Sequence, residues 1–482
     1  MASIADLPYK MHVTPDNTGL WHIQQTDEAA KKVSELLQED MEKHHVFFNF
    51  EGFHNHIPHH LLALYGTGAA PPALAAAYAN NASYQRPALA PHSSGSGAAA
   101  DDEEKDARFL PWPEAARPYL GREEFYPDFL RFFQREIRRE SSSSSGSGSS
   151  GGAGGGGWKA VVRRFLFGVD ATGKTGGQAA DDEMMVRLFA GVLHPLIQLM
   201  YGVEWAQKAV VAEALAQTAV HAGYLGEFLL GAERVARERG GPQQERVGVM
   251  ELLEEVRRNE KIVRAARDGF ANKIRMGVLA GAKDEMMALA ARVTVRPEEV
   301  EERTAEMFNA ALFVAAAAAL AKEGKQPKFD FVLMHHVNAS PFFVTISAAD
   351  WVPAETKARL LEWKIRMDLL QYATCGVAEL SLDKLPGYQP KKPEAGGSLA
   401  EIIARLHTFP DDGHAIKLGR AAGICHKICQ RYEAEGRDWL KIRGDDMWKK
   451  VAHLIVDSVE APGPHWVRGG GFDSAWKDFP DI

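Results

Sequence analysis

Cysteine is scarce in this chain: Cys375, Cys425 and Cys429 are the only three among 482 residues. Three thiols cannot build a disulfide framework, which points to a reducing compartment. Two of them flank His426 in ICHKIC, but no second pair completes a structural zinc site, so the segment reads as a helix with small thiols in its core. Long apolar runs are missing as well. No stretch approaches bilayer-spanning length, and MASIADLPYK has neither the basic start nor the apolar core of a signal peptide, so a cytoplasmic protein with no membrane partner is expected. Excess basic charge is also absent. A net charge of −8 and a pI near 6.2 argue against a nucleic-acid partner.

What remains is a globular composition, 45% hydrophobic and 25% charged, on a chain long enough for a large core. Strand-like pattern is confined to 329–337 and 342–346, and the first of these suits a helix equally well. Helical spacing dominates elsewhere: 27–43, 69–81, 127–140, 183–205, 207–231, 245–269, 297–325, 363–373 and 411–432. In 127–140 it sets Phe129, Leu130, Phe132 and Phe133 against arginines. The expected fold is therefore all-α, a single large helical domain with few or no strands. Its parts are an N-terminal helical part (1–140), a Ser/Gly-rich insertion and loop expected to be disordered (141–182), and a catalytic part (183–482) packed with the first. Two nucleotide signatures read as accidents. GSGSSG (146–151) lies in the Ser/Gly tract. GVDATGKT (168–175) is followed by glycines where a P-loop needs a helix N-terminus, although WKAVVRRFLF before it passes for a strand.

Histidine is the residue in notable supply, 18 in all, four of them in FHNHIPHH at 53–60. A buried helix from Leu61, stopping at Gly66, Gly68 and Pro71-Pro72, places His56 and His60 on one face and sends His54 and His59 elsewhere. His194 lies in an apolar run that Pro195 kinks or restarts, and His221 sits on an amphipathic helix. His335 and His336 stand in apolar company, one expected inward and the other away. His414 and Lys417 share a face of a helix opening at acidic, capping-type residues. Neutral imidazole is a common ligand for iron, zinc and copper; the plainer reading of any one of these is a capping or core histidine. Lys364 is either functional or paired with Asp368 or Glu362.

Taken in order, NHIPHHLLALYGTGA (55–69), RLFAGVLHPLIQLMYGVE (187–204), LMHHVNAS (333–340), EWKIRMDLLQY (362–372), HAIKLGRA (414–421) and GGGFDSAW (469–476) resemble the questin oxidase-like family, which includes fungal oxygenases acting on anthraquinone-type polyketides. The resemblance covers most of the chain; 91–106 and the Ser/Gly tract look like insertions. It implies a helical oxidoreductase of secondary metabolism that opens a ring of a tricyclic quinone or its hydroquinone with dioxygen. Two accounts of the cofactor go with the family. One is NADPH, in a Baeyer–Villiger monooxygenase. The other is non-haem Fe(II) held by histidines and a carboxylated lysine, in a dioxygenase. Carried over to matching positions, the iron ligands are His56, His194, His335, His414 and Lys417, with Lys364 the alternative lysine and His221 the substitute histidine. A buried neutral lysine that takes up carbon dioxide becomes a carbamate and supplies an anionic oxygen. His60, His221 and His336 are the candidate bases for a substrate phenol, and His60 is also placed to hold a ligand's other nitrogen. Histidines on separate helices and the lack of a credible dinucleotide fold favour iron over NADPH. A zinc hydrolase, or a helical binding or scaffold protein with structural histidines, are the rival classes. Oligomeric state and regiochemistry stay open.

Overall fold

Side-chain caps start several of the helices. Thr26 accepts the Ala29 N–H at 3.1 Å and opens α1 (Asp27–Lys43), with Asp27 and Glu28 in the first turn and Lys43 in the last. The computed structural model describes residues 7–92, 107–144, 156–169, 178–241, 245–269, 272–394 and 396–482. The expectations for 93–106, 145–155 and the GKT segment (170–177) lie outside these. Among the described residues there is helix and no strand, only isolated bridges, so the chain is all-α.

By its internal contacts the chain divides into two compact units, 1–226 with 348–353, and 227–347 with 354–482. The 183–482 part expected from the sequence thus contributes to both. The first unit holds α1, α2 (Ile57–Gly66), α3 (Pro71–Ala82), α4 (Tyr126–Ser144), α5 (Trp158–Leu166), α6 (Gln178–Leu188), α7 (His194–Glu204) and α8 (Lys208–Val220). Pro71-Pro72 does not merely end α2; it opens α3, where a missing N–H costs nothing. Helix α8 is buried on every side from Ala209 to Val220 and packs on α4 and α7, which makes it the axis of this unit. WKAVVRRFLF is α5, a helix, which removes the strand a P-loop would need.

The second unit follows with α9 (Gly226–Glu238), α10 (Val249–Arg258), α11 (Glu260–Ala265), α12 (Lys283–Ala290), α13 (Val300–Ala319), α14 (Phe331–Asn338), α15 (Pro341–Ala348), α16 (Ala354–Thr374), α17 (Leu399–Ala404), α18 (His414–Ala434) and α19 (Asp445–Glu460). The alanine-rich α13 is buried along its length; its small side chains let α14, α16 and α18 approach it. All three cysteines are free and buried, Cys425 and Cys429 in α18.

Three local expectations are corrected, and the alternative left open at 329–337 is decided for helix. The 329–337 and 342–346 segments are helices, because Asp330 caps α14 and Pro341 opens α15. The 207–231 helix ends at Val220: His221 turns extended, and its Nδ1–H caps Gln217 O at 2.6 Å. The 245–269 helix is interrupted at Asn259, whose side chain accepts the N–H groups of Lys261 and Ile262 and so starts α11. No single described helix is long and apolar enough to cross a membrane. Asp182–Leu188 and Gly191–Glu204 pass together by composition, but they meet at 67°, and α7 is buried from His194 to Val203.

Candidate functional site

In the first unit, FHNHIPHH forms a short loop into α2. Asn55 turns it: its side-chain oxygen accepts Ile57 N–H at 2.9 Å, and its amide donates to Asp40 Oδ1 at 2.9 Å. His56 is thereby fixed as the residue before α2. Between α6 and α7 the chain runs through Gly191, Val192 and Leu193 with φ of 55°, 54° and 65°. Left-handed non-glycine residues cost about 1–3 kcal/mol each and persist where the surroundings enforce them. Gly191 has no substitute, since a Cβ there would lie 2.5 Å from His221 Nε2 and 3.0 Å from His54 Cε1.

That strained turn delivers His194 to the first position of α7, where its Nδ1–H donates to Gly191 O at 2.6 Å. Its Nε2 therefore carries the lone pair, and it faces His56 Nε2 at 2.8 Å. A second pair lies alongside: His54 Nε2 and His221 Nε2 are 2.8 Å apart, and the His54 ring stacks on His194 at 4.0 Å. His59 adds a ring 5.4 Å from His56 and stacks on Tyr201; His60 is buried in the same helix. Burial, then neighbouring imidazoles, hold His54 well below the usual histidine range, and burial pushes His221 down to about 4. Neutral imidazole is the form that binds metal. The sequence sent His54 elsewhere, but the segment before α2 is not helical and helical spacing does not govern it.

In the second unit Asp330 accepts the N–H groups of Val332 and Leu333 at 2.8 and 3.1 Å and fixes the start of α14. One turn on, His335 Nδ1–H donates to Phe331 O at 2.6 Å. His414, first residue of α18, donates Nδ1–H to the Asp412 carboxylate. Both Nε2 atoms thus present lone pairs, and they face each other at 3.1 Å. Lys417, one turn along α18, is buried, and burial pushes it down to about 8 against the pull of Asp412 and Asp411.

His336 serves a different contact. Its Nδ1 lies 2.5 Å from Asp368 Oδ1, and Lys364 Nζ reaches the same carboxylate at 2.6 and 2.7 Å. Its Nε2 meets no hydrogen-bond partner among the described residues, and the residue lines a cavity of about 20 Å³ with Val249, Leu253, Ala311, Val314 and Leu333. Both His335 and His336 are buried, where one was expected to face away. Lys364 is ion-paired with Asp368, and Arg366 with Glu362 at 3.1 Å.

Two lone pairs 3.1 Å apart repel unless a proton or a cation lies between them. Two nitrogens each about 2.1 Å from one octahedral ion, at right angles, stand about 3 Å apart. Tying Nδ1–H to a carbonyl or carboxylate is also how metal-binding histidines are oriented. The donor chemistry at His335 and His414 therefore fits a metal of the imidazole-binding class, and His194, with Nδ1–H tied to Gly191 O, offers its Nε2 to the same chemistry.

The Questin oxidase-like family profile matches residues 53–422. The questin oxidase of Aspergillus fumigatus is 33% identical over 465 residues, covering 95% of this chain and 95% of the relative. Oxidoreductase AflY of Aspergillus parasiticus is 32% identical, covering 97% of this chain and 92% of the relative. Baeyer-Villiger oxidase mdpL of Emericella nidulans is 32% identical over 92% of each chain. The six motifs that suggested the resemblance are thus embedded in similarity that runs nearly end to end, and the chain belongs to the questin oxidase-like family.

Proposed function

We propose that this oxidoreductase is a non-haem Fe(II)-dependent dioxygenase that cleaves a ring of an anthraquinone-type polyketide or its hydroquinone. The observation that carries the iron reading is the His335–His414 pair: two Nε2 lone pairs 3.1 Å apart, each imidazole locked in that tautomer from behind. The protein ligands are drawn from His56, His194, His335 and His414, with Lys417 as a carbamate supplying the anionic oxygen. Burial of Lys417 supports this last role, since only the neutral amine takes up carbon dioxide. The names of the relatives, questin oxidase and Baeyer-Villiger oxidase, support oxidation of the quinone class.

When bound, iron supplies the activation of dioxygen toward an electron-rich ring. The chain's own residues do the rest. Asp412 and the carbonyls of Phe331 and Gly191 hold their imidazoles so that Nε2 points at the ion. Of the three expected bases, His336 has Nδ1 on Asp368, which leaves Nε2 as the atom able to accept a proton. His221 has its Nε2 on His54 instead.

The second reading, an NADPH-dependent Baeyer–Villiger monooxygenase on the same substrates, draws on the relatives so named. Against it, the described residues contain no strand on which the usual dinucleotide unit is built. The deciding experiment is elemental analysis of chelator-washed protein with oxygen uptake on an anthraquinone, with and without NADPH. About one iron per chain and uptake without NADPH is the expected result; metal-free protein with strictly NADPH-dependent uptake overturns it, and neither iron nor uptake favours a helical binding protein. In the same assay Asp412→Ala should weaken iron retention by roughly 10–100-fold, the usual effect of losing a ligand's outer hydrogen-bond partner.

A further inference from the structure

Inside the first unit, Asp40 of α1, His44, His45 and Asn55 of the loop that follows it, Gln198 of α7 and Glu213 of α8 line a chamber of about 10 Å³. Its polar groups do not close on one another. Gln198 Nε2 donates to Glu213 Oε2 at 3.0 Å, yet Gln198 Oε1, on a residue 2% exposed, has no hydrogen-bond partner among the described residues. His45, 1% exposed, accepts the Phe47 N–H at Nδ1, 3.1 Å away. Its proton is therefore on Nε2, and that N–H also lacks a partner among the described residues.

A buried donor and a buried acceptor left open are each costly, so an occupant is called for. With its proton on Nε2 and Nδ1 taken by Phe47 N–H, His45 has no lone pair to offer a metal cation. Water suits the set, because its oxygen accepts from His45 while its two hydrogens reach Gln198 Oε1 and a carboxylate. A space near 10–15 Å³ holds about one such molecule, and three bonds is the usual number for a buried one.

The two carboxylates are unequally served. Asp40 Oδ1 accepts from His44 Nδ1 at 2.8 Å and from Asn55 Nδ2 at 2.9 Å, whereas Glu213 has the Gln198 amide. The titratable groups facing Glu213 are Asp40 from α1, His44 and His45 from the loop after it and Tyr126 from α4. Burial first, and Asp40 second, push Glu213 up to about 8, while burial and Arg86 push His45 down to about 4.

We propose that the chamber holds one water molecule and one proton, carried by Glu213, and that the acid pair so neutralised lets Asp40 hold Asn55 and the loop bearing His54 and His56. The coupling to His56 rests on the reading of His56 as an iron ligand; the water and the proton do not. Asp40 and Glu213 are positioning residues, since neither touches the imidazoles that would bind the ion.

The test uses the full chain, wild type beside Glu213→Gln and Asp40→Asn. Infrared spectra at pH 7 in water and heavy water should show the carbonyl stretch of one protonated buried carboxyl, absent in Glu213→Gln. Because the folded value of Glu213 stands above its unfolded one, its contribution is full below the unfolded value and is lost as pH rises from about 5 to about 8. Over that window the wild-type denaturant midpoint should fall relative to that of Glu213→Gln, the buried histidines titrating alike in both. A crystal structure should show a water within hydrogen-bond reach of His45 Nε2 and Gln198 Oε1. No carboxyl band, equal pH slopes, or a chamber without water overturns the proposal. Iron retained after a chelator wash should drop several-fold in Asp40→Asn and hardly at all in Glu213→Gln. Iron equal in both variants and wild type removes the positioning role, and a wild type without iron removes the ligand reading while the spectroscopic and pH results still decide the chamber.

Discussion

His414→Ala and His194→Ala, each purified and chelator-washed, should carry no measurable iron and lose oxygen uptake by more than about 100-fold, since loss of an outer partner alone costs roughly 10–100-fold. The expectation follows from the direction of the nitrogens. His194 donates Nδ1–H to Gly191 O at 2.6 Å, and His414 donates to Asp412, so each offers Nε2 as a lone pair and nothing else. Removing either leaves its partner, His56 or His335, without the second donor that stands 2.8 or 3.1 Å away. Both rings are buried, so each alanine also leaves a ring-sized space, and helix content and the thermal midpoint are measured alongside to separate loss of iron from loss of fold. Wild-type iron and turnover in both variants would put the metal elsewhere. Unchanged iron in one alone would retain the other pair and discard that ligand.

Much of the architecture was legible because caps and periodicity are local. Helix α1 runs over the 27–43 that its spacing gives, whereas the opening of a helix at Pro71 and the cap at Asp330 show only in the structure. The breaks at His221 and Asn259 were harder, because a histidine or asparagine inside an apolar run reads as helical until its side chain is seen to bond the backbone. The pairing of Lys364 with Asp368 was foreseen as one of two options because spacing by four puts them on one helical face. The imidazole pairs were not legible as pairs. His56 and His194 are 138 residues apart, and their approach depends on Asn55 turning one loop and on three left-handed residues in another. His54 was misplaced for the same reason, and Gly191 carried no signal beyond being a glycine in an apolar run. Its need shows only once the His221 ring is found where its Cβ would be.

Asp330→Ala should cost about 5 kcal/mol or more, comparable with the whole stability of many domains. The carboxylate is fully buried and serves two ends of the second unit. Oδ1 caps α14 through Val332 and Leu333 N–H at 2.8 and 3.1 Å, and Oδ2 accepts Gly469 and Gly470 N–H at 2.7 and 2.8 Å. Alanine would orphan four backbone donors at once, each worth about 1–3 kcal/mol when buried without a partner. Part of that is recovered if water enters, hence the lower figure. The glycines leave no alternative packing: a Cβ at Gly471 would meet Gly376 O at 2.1 Å, so the GGGFDSAW ending cannot shift to find other acceptors. The same ending follows Val467, which bonds both sides of Asp330 through Phe329 O and Phe331 N–H at 3.0 and 2.7 Å. Its neighbours Trp466 and Arg468 lie 6.0 Å from the His414 ring and 4.6 Å from the Phe331 ring. Hydrogen exchange should therefore show 465–472 losing protection together with the first turn of α14, and iron retention should fall as His335 loses its fixed carbonyl. Asp330→Asn, which keeps one oxygen and points an amide at the other pair of donors, should fall between the two. A variant that keeps wild-type protection at 465–472 would mean that the segment is held by the Val467 bridge and the Trp476 ring rather than by this carboxylate.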